Sequence, residues 1–110
     1  MSVRSDIDTL LAALADEQQS ARRPDDLMAM IAAENPRRFT SRVDHLREQY
    51  DDIVRQVKSL RTQLNDVQPE QVDVTDLRHR LGWVLQSIHQ YRARQTDLVY
   101  DAIQLDLGGH

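Results

Sequence analysis

The chain contains no cysteine, which removes disulfides, thiolate metal ligands and thiol nucleophiles together. Glycine and proline are scarce, three of each in 110 residues, and aromatic side chains make up only 5 %. Sandwiches and barrels need many turns and a supply of aromatic and β-branched residues, so an all-β fold is excluded and a helix-rich one expected. Long apolar runs are missing too. The opening stretch MSVRSDIDTLLAALADEQQ has acids inside its apolar part, so neither a signal peptide nor a membrane span is expected, and a cytoplasmic location follows. There is no Gly-rich phosphate loop, and no local trio suggests a nucleophile, a base and an orienting acid. The expectation is a protein that is not an enzyme and needs no cofactor.

What is present suits one soluble all-α domain: 40 % apolar and 29 % charged residues over residues 1–110. A net charge of −4 disfavours non-specific contact with nucleic acid. The prolines divide the chain. A first helix is expected over 5–23, capped by Ser5, with an apolar face of Ile7, Leu10, Leu11 and Leu14. Pro24 precedes a short helix over 25–34, whose buried side should be Leu27, Met28, Met30 and Ile31. A third helix over 41–65 opens at Ser41, with Asp44 three residues on. An acidic connector over 66–74 leads to a fourth helix over 75–107, stopped by Gly108 before a frayed GGH end.

The last two helices carry the strongest pattern. Val43, Leu46, Tyr50, Ile53, Val57, Leu60 and Leu64 alternate spacings of 3 and 4. So do Leu77, Leu81, Val84, Ile88, Tyr91, Gln95, Leu98, Ala102 and Leu105. An unbroken 3.5-residue period predicts a left-handed coiled-coil seam, closed here as an antiparallel hairpin. Folding the chain midway between Glu70 and Gln71 gives layers Leu64/Leu77, Leu60/Leu81, Val57/Val84, Ile53/Ile88, Tyr50/Tyr91, Leu46/Gln95 and Val43/Leu98. The same register makes Arg42 and Asp101 neighbours on one edge of the seam. Val99, Ile103 and Leu107 lie off it and should be covered by the two N-terminal helices. The expected architecture is thus a long helical hairpin with two shorter helices packed on it, a three- to four-helix bundle.

Along the other edge the register pairs Arg61 with Arg78, Val54 with Leu85, and Arg47 with Arg92. Arginine pairs around an apolar contact repel unless something acidic and apolar lies across them. The first helix fits, with Leu10, Leu11 and Leu14 among Asp8, Asp16 and Glu17, and Gly82 would admit a close neighbour. A second copy could supply the same cover, so a homodimer is expected with Val54, Leu85, Arg47 and Arg92 at or near its interface.

Chemistry-bearing residues are sparse. His45, His79 and His89 fall on outward positions, and His45 with Glu48 forms the only His-x-x-Glu, so the spacing predicts no metal centre. A metal- or small-ligand-binding bundle is the alternative function, through a site assembled between copies or with His110. The connector places Asp66, Glu70, Asp73 and Asp76 at the hairpin tip, where Asp73 and Asp76 suit a helix start and the acids together could meet a basic cleft. Trp83, the sole tryptophan, occupies an outward position near Arg80, Ser87 and Gln90, facing Gln49, Gln56 and Gln63. Its ring can be half-covered by the glutamine stems, or, as an outward aromatic among neutral polar groups, it can anchor a protein contact. Gln95 is the one polar seam residue, expected to set orientation or oligomer specificity.

In outline, a coiled-coil hairpin with acids at its end resembles the transcript-cleavage factors of bacterial RNA polymerase, without a residue-level match. Residues 41–107 look like small helical export chaperones and secretion assembly proteins in architecture alone. The function expected is that of an adaptor, chaperone or assembly factor working through protein contacts, with neither nucleic acid nor membrane as partner.

Overall fold

The computed structural model describes residues 3–66 and 68–108. Four α-helices follow one another: α1 Val3–Ala21, α2 Asp26–Glu34, α3 Pro36–Asp66 and α4 Val74–Gly108, with a 3-10 turn Pro69–Gln71 before the last. Among the described residues there is no strand, and no helix long and apolar enough to cross a membrane. α3 and α4 pack together, and α1 and α2 lie on that pair rather than on each other. The result is a rod of 63 × 20 × 19 Å.

The heptad pattern is the seam. Val43, Leu46, Ile53, Val57, Leu60 and Leu64 of α3 are buried against Leu77, Leu81, Val84, Ile88, Tyr91 and Leu98 of α4, with Tyr50, Ala102 and Leu105 partly buried beside them. The Tyr50 and Tyr91 rings lie 5.5 Å apart between centroids, in the layer the register assigns them. Arg42 donates to the Asp101 carboxylate at 2.8 Å, also as that register requires.

Several boundaries differ from the expected ones, each for a local reason. α3 opens at Pro36, five residues before Ser41. Proline needs no N–H donor in a first turn, and the Asn35 carbonyl accepts from Arg38 and Phe39 at 3.2 and 3.0 Å. Phe39, only 2 % exposed, anchors that added turn in the core. Asp44 therefore serves no cap and pairs with Arg47 at 3.5 Å. α1 ends at Ala21 rather than at residue 23, because Arg22 takes a left-handed backbone, φ 53°. α2 opens one residue late, since Asp25 is its cap and accepts from the Leu27 N–H at 3.1 Å.

The covering faces are narrower than expected. α1 buries Leu11, Leu14 and Ala21 but leaves Leu10 half exposed, while Ile7 lies outside the described side chains. In α2 only Met28 and Ile31 are buried, and Leu27 and Met30 face outward, because a nine-residue helix presents one stripe to a neighbour. Over the base of α4 these helices half-bury Val99 but leave Ile103 exposed. The Leu107 side chain, Gly109 and His110 lie outside the described residues.

Candidate functional site

The hairpin edge away from α1 is a ladder of polar pairs at heptad intervals. Arg42 reaches Asp101, Arg94 donates to the Gln49 amide oxygen at 2.9 Å, and Arg80 donates to that of Gln63. The remaining rung places Gln56 opposite Ser87. It does not close, because the Ser87 hydroxyl donates instead to the Trp83 carbonyl at 3.0 Å. The Gln56 Oε1 is left buried with no hydrogen-bond partner, a costly state for an acceptor.

That open rung lies under Trp83. The indole is 66 % exposed, more than half-cover by glutamine stems would leave. Beside it runs a groove of about 490 Å³, walled by Arg55, Gln56, Leu60, His79, Arg80 and Val84. Its charges are already engaged: Arg80 on Gln63, and Arg55 on Asp52 at 2.8 Å, a bond that raises the Arg55 pKa further. What the groove offers a visitor is an apolar floor and an indole. A second groove of about 500 Å³ lies lower on the same edge between Arg42, His45, Gln49, Arg94 and Asp97, with the Arg42 and Arg94 rungs beside it.

The opposite edge is where α1 sits. Glu17 meets Arg92 at 3.2 Å, so the first helix brings an acid to one arginine of the expected flank. Arg47 turns to Asp44, Val54 is half-buried and Leu85 stays 44 % exposed. No atom lies within 4 Å of where a Cβ on Gly82 would stand, so α1 makes no close approach there. Gln95 does not act as a buried seam amide against Leu46. Its Nε2 donates to the Arg22 carbonyl at 3.2 Å and to the Tyr91 hydroxyl at 3.0 Å, and Tyr91 donates to the same carbonyl at 2.5 Å. Together they satisfy the turned end of α1. Burial, with Tyr50 alongside, holds the Tyr91 pKa well above its ordinary value.

At the tip, Asp73 caps α4, its Oδ1 accepting from the backbone N–H groups of Thr75 and Asp76 at 3.0 and 3.1 Å. Asp76 sits in the first turn, Glu70 on the 3-10 turn and Asp66 at the end of α3, all exposed. Among the described residues, no three His, Cys, Asp or Glu side chains lie together where they could hold a metal ion. Sequence reasoning passed over Tyr100 and took Leu27 as buried; both are exposed and, with Val99 and Ile103, border an apolar groove of about 450 Å³ near the base. Comparison with protein-family models, curated proteins and solved structures found no match to this chain.

Proposed function

We propose that the protein is a non-enzymatic helical interaction protein, an adaptor, chaperone or assembly factor, which works in the cytoplasm through protein contacts and as a homodimer. Trp83 carries the reading. Its ring lies on a rigid helix beside an apolar groove, where burial against a partner gains hydrophobic energy with little loss of side-chain freedom. The groove beside it supports the reading, since Leu60 and Val84 give it an apolar wall next to the indole.

The test is affinity capture with tagged wild type beside Trp83→Ala. The variant should fold and melt like wild type and bind its partner about 30-fold more weakly, the roughly 2 kcal/mol of an interface hot spot. A folded variant that captures every wild-type partner at equal affinity removes Trp83 as the anchor.

A further inference from the structure

We infer that the outward face of α4 docks a second copy of the same face, in an antiparallel pair that sets Tyr100 of one subunit over the partner's Gly82. The inference rests on the reading of α4 as a docking helix and gives it an occupant.

Four of the large apolar side chains left exposed belong to α4 between its first turn and its base: Trp83, Leu85, Tyr100 and Ile103, each 44 to 66 % exposed. Tyr100 and Ile103 lie on one line along the helix, and Trp83 and Leu85 flank that line on its two sides. Gly82, Gln86, His89, Ala93, Thr96, Tyr100 and Ile103 alternate spacings of 4 and 3, and every one is exposed. This is a second heptad stripe on the helix, turned away from the seam with α3. It carries no Asp, Glu, Lys or Arg over roughly 32 Å, although the chain is 29 % charged and a solvated helix face is where charge normally goes.

A heptad stripe without charge fits another helix with the same period, and here the stripe is complementary to itself. About a two-fold axis beside Tyr91, an antiparallel copy forms layers of Tyr100 on the partner's Gly82, Thr96 on the partner's Gln86, and Ala93 on the partner's His89. Such an interface is isologous and closes at two subunits. The open space above Gly82 is what a tyrosine ring needs. The flanks agree. Leu85 falls opposite the partner's Val99, and Trp83 opposite the partner's Asp97, an acceptor for an indole N–H that can only donate. The two Arg92 side chains approach near the axis, but each has its own Glu17 at 3.2 Å. The stripe is one helix wide, widened by Leu27 beside Tyr100 and Ile103, and most of it is small or polar, so a weak dimer in the micromolar range is expected.

Sedimentation equilibrium from about 1 to about 100 μM tests this directly. Wild type should approach twice the 12.8 kDa chain mass. Ala93→Arg changes an exposed position and adds a cation beside the two Arg92 side chains, so it should keep its helicity and raise the dissociation constant at least tenfold. With no native cysteine to interfere, a short bis-maleimide should link Gln90→Cys to its twin near the axis and fail with Gln104→Cys, which lies roughly 42 Å from its own twin. A wild type that stays at the chain mass throughout overturns the inference. So does a dimer that Ala93→Arg leaves intact, or one that cross-links through Gln104→Cys instead. A monomer whose partner capture still depends on Trp83 removes the second copy and keeps the docking reading. A dimer linked through Gln90→Cys whose Trp83→Ala variant captures every partner does the opposite.

Discussion

Tyr50 and Tyr91 face each other across the hairpin with ring centroids 5.5 Å apart and planes tilted by 47°, and that one contact fixes the pairing of α3 with α4. A slip of one heptad would separate the rings and break the Arg42–Asp101 bond on the same register. Ile53 and Ile88 form the adjacent layer toward the tip, and both are almost wholly buried.

Replacing Ile53 or Ile88 by Asp should unfold the protein. An unpaired charge in that layer costs several kcal/mol against a total stability of roughly 5 to 15. Circular dichroism and thermal melting check it, and a folded Ile88→Asp protein with wild-type melting would contradict the register.

Tyr91→Phe keeps the ring packing and removes the donor to the Arg22 carbonyl, so it should destabilise by about 1 kcal/mol. The pH dependence has a definite sign. Because the folded pKa lies above the unfolded value near 10, the native state holds the phenolic proton more tightly, and stability falls as pH rises past about 10. The gap between wild type and Tyr91→Phe in urea unfolding should therefore be full at neutral pH and shrink in alkali.

Phe39→Ala should cost about 3 to 5 kcal/mol, the usual penalty for an emptied aromatic core site, and fray the first turn of α3. Amide exchange should show it as lost protection over residues 39–43, with the tip unaffected.

Asp73→Ala should remove the cap of α4 for about 1 kcal/mol, and Asp73→Asn should recover most of it, because an amide oxygen accepts the same two N–H bonds. Equal loss in both variants would mean that the charge, not the cap, matters at the tip.

The seam and its register were legible because a 3.5-residue period names which side chains face inward, and an antiparallel return then fixes Tyr50 on Tyr91 and Arg42 on Asp101. The ends of the elements were harder to read. Arginine has no preference for the left-handed conformation of Arg22, which is held by bonds from Tyr91 and Gln95, 69 and 73 residues away in the chain. The start of α3 carries no Ser or Asp cap, since a backbone carbonyl from Asn35 serves instead. Trp83 could be placed outward from its heptad position alone. The open Gln56 rung could not, because it depends on which way the Ser87 hydroxyl turns, nor could the groove, which depends on how side chains of α3 and α4 pack around it.

The most direct test of the account uses Trp83 as its own reporter, since all tryptophan emission comes from that one side chain. Dilute protein should emit like a water-exposed indole and be quenched freely by acrylamide. Emission should shift to the blue, and quenching fall, as protein concentration rises through the micromolar range or as a captured partner is added. Emission and quenching that stay unchanged under both conditions would show that no protein contact covers Trp83, and would contradict the account.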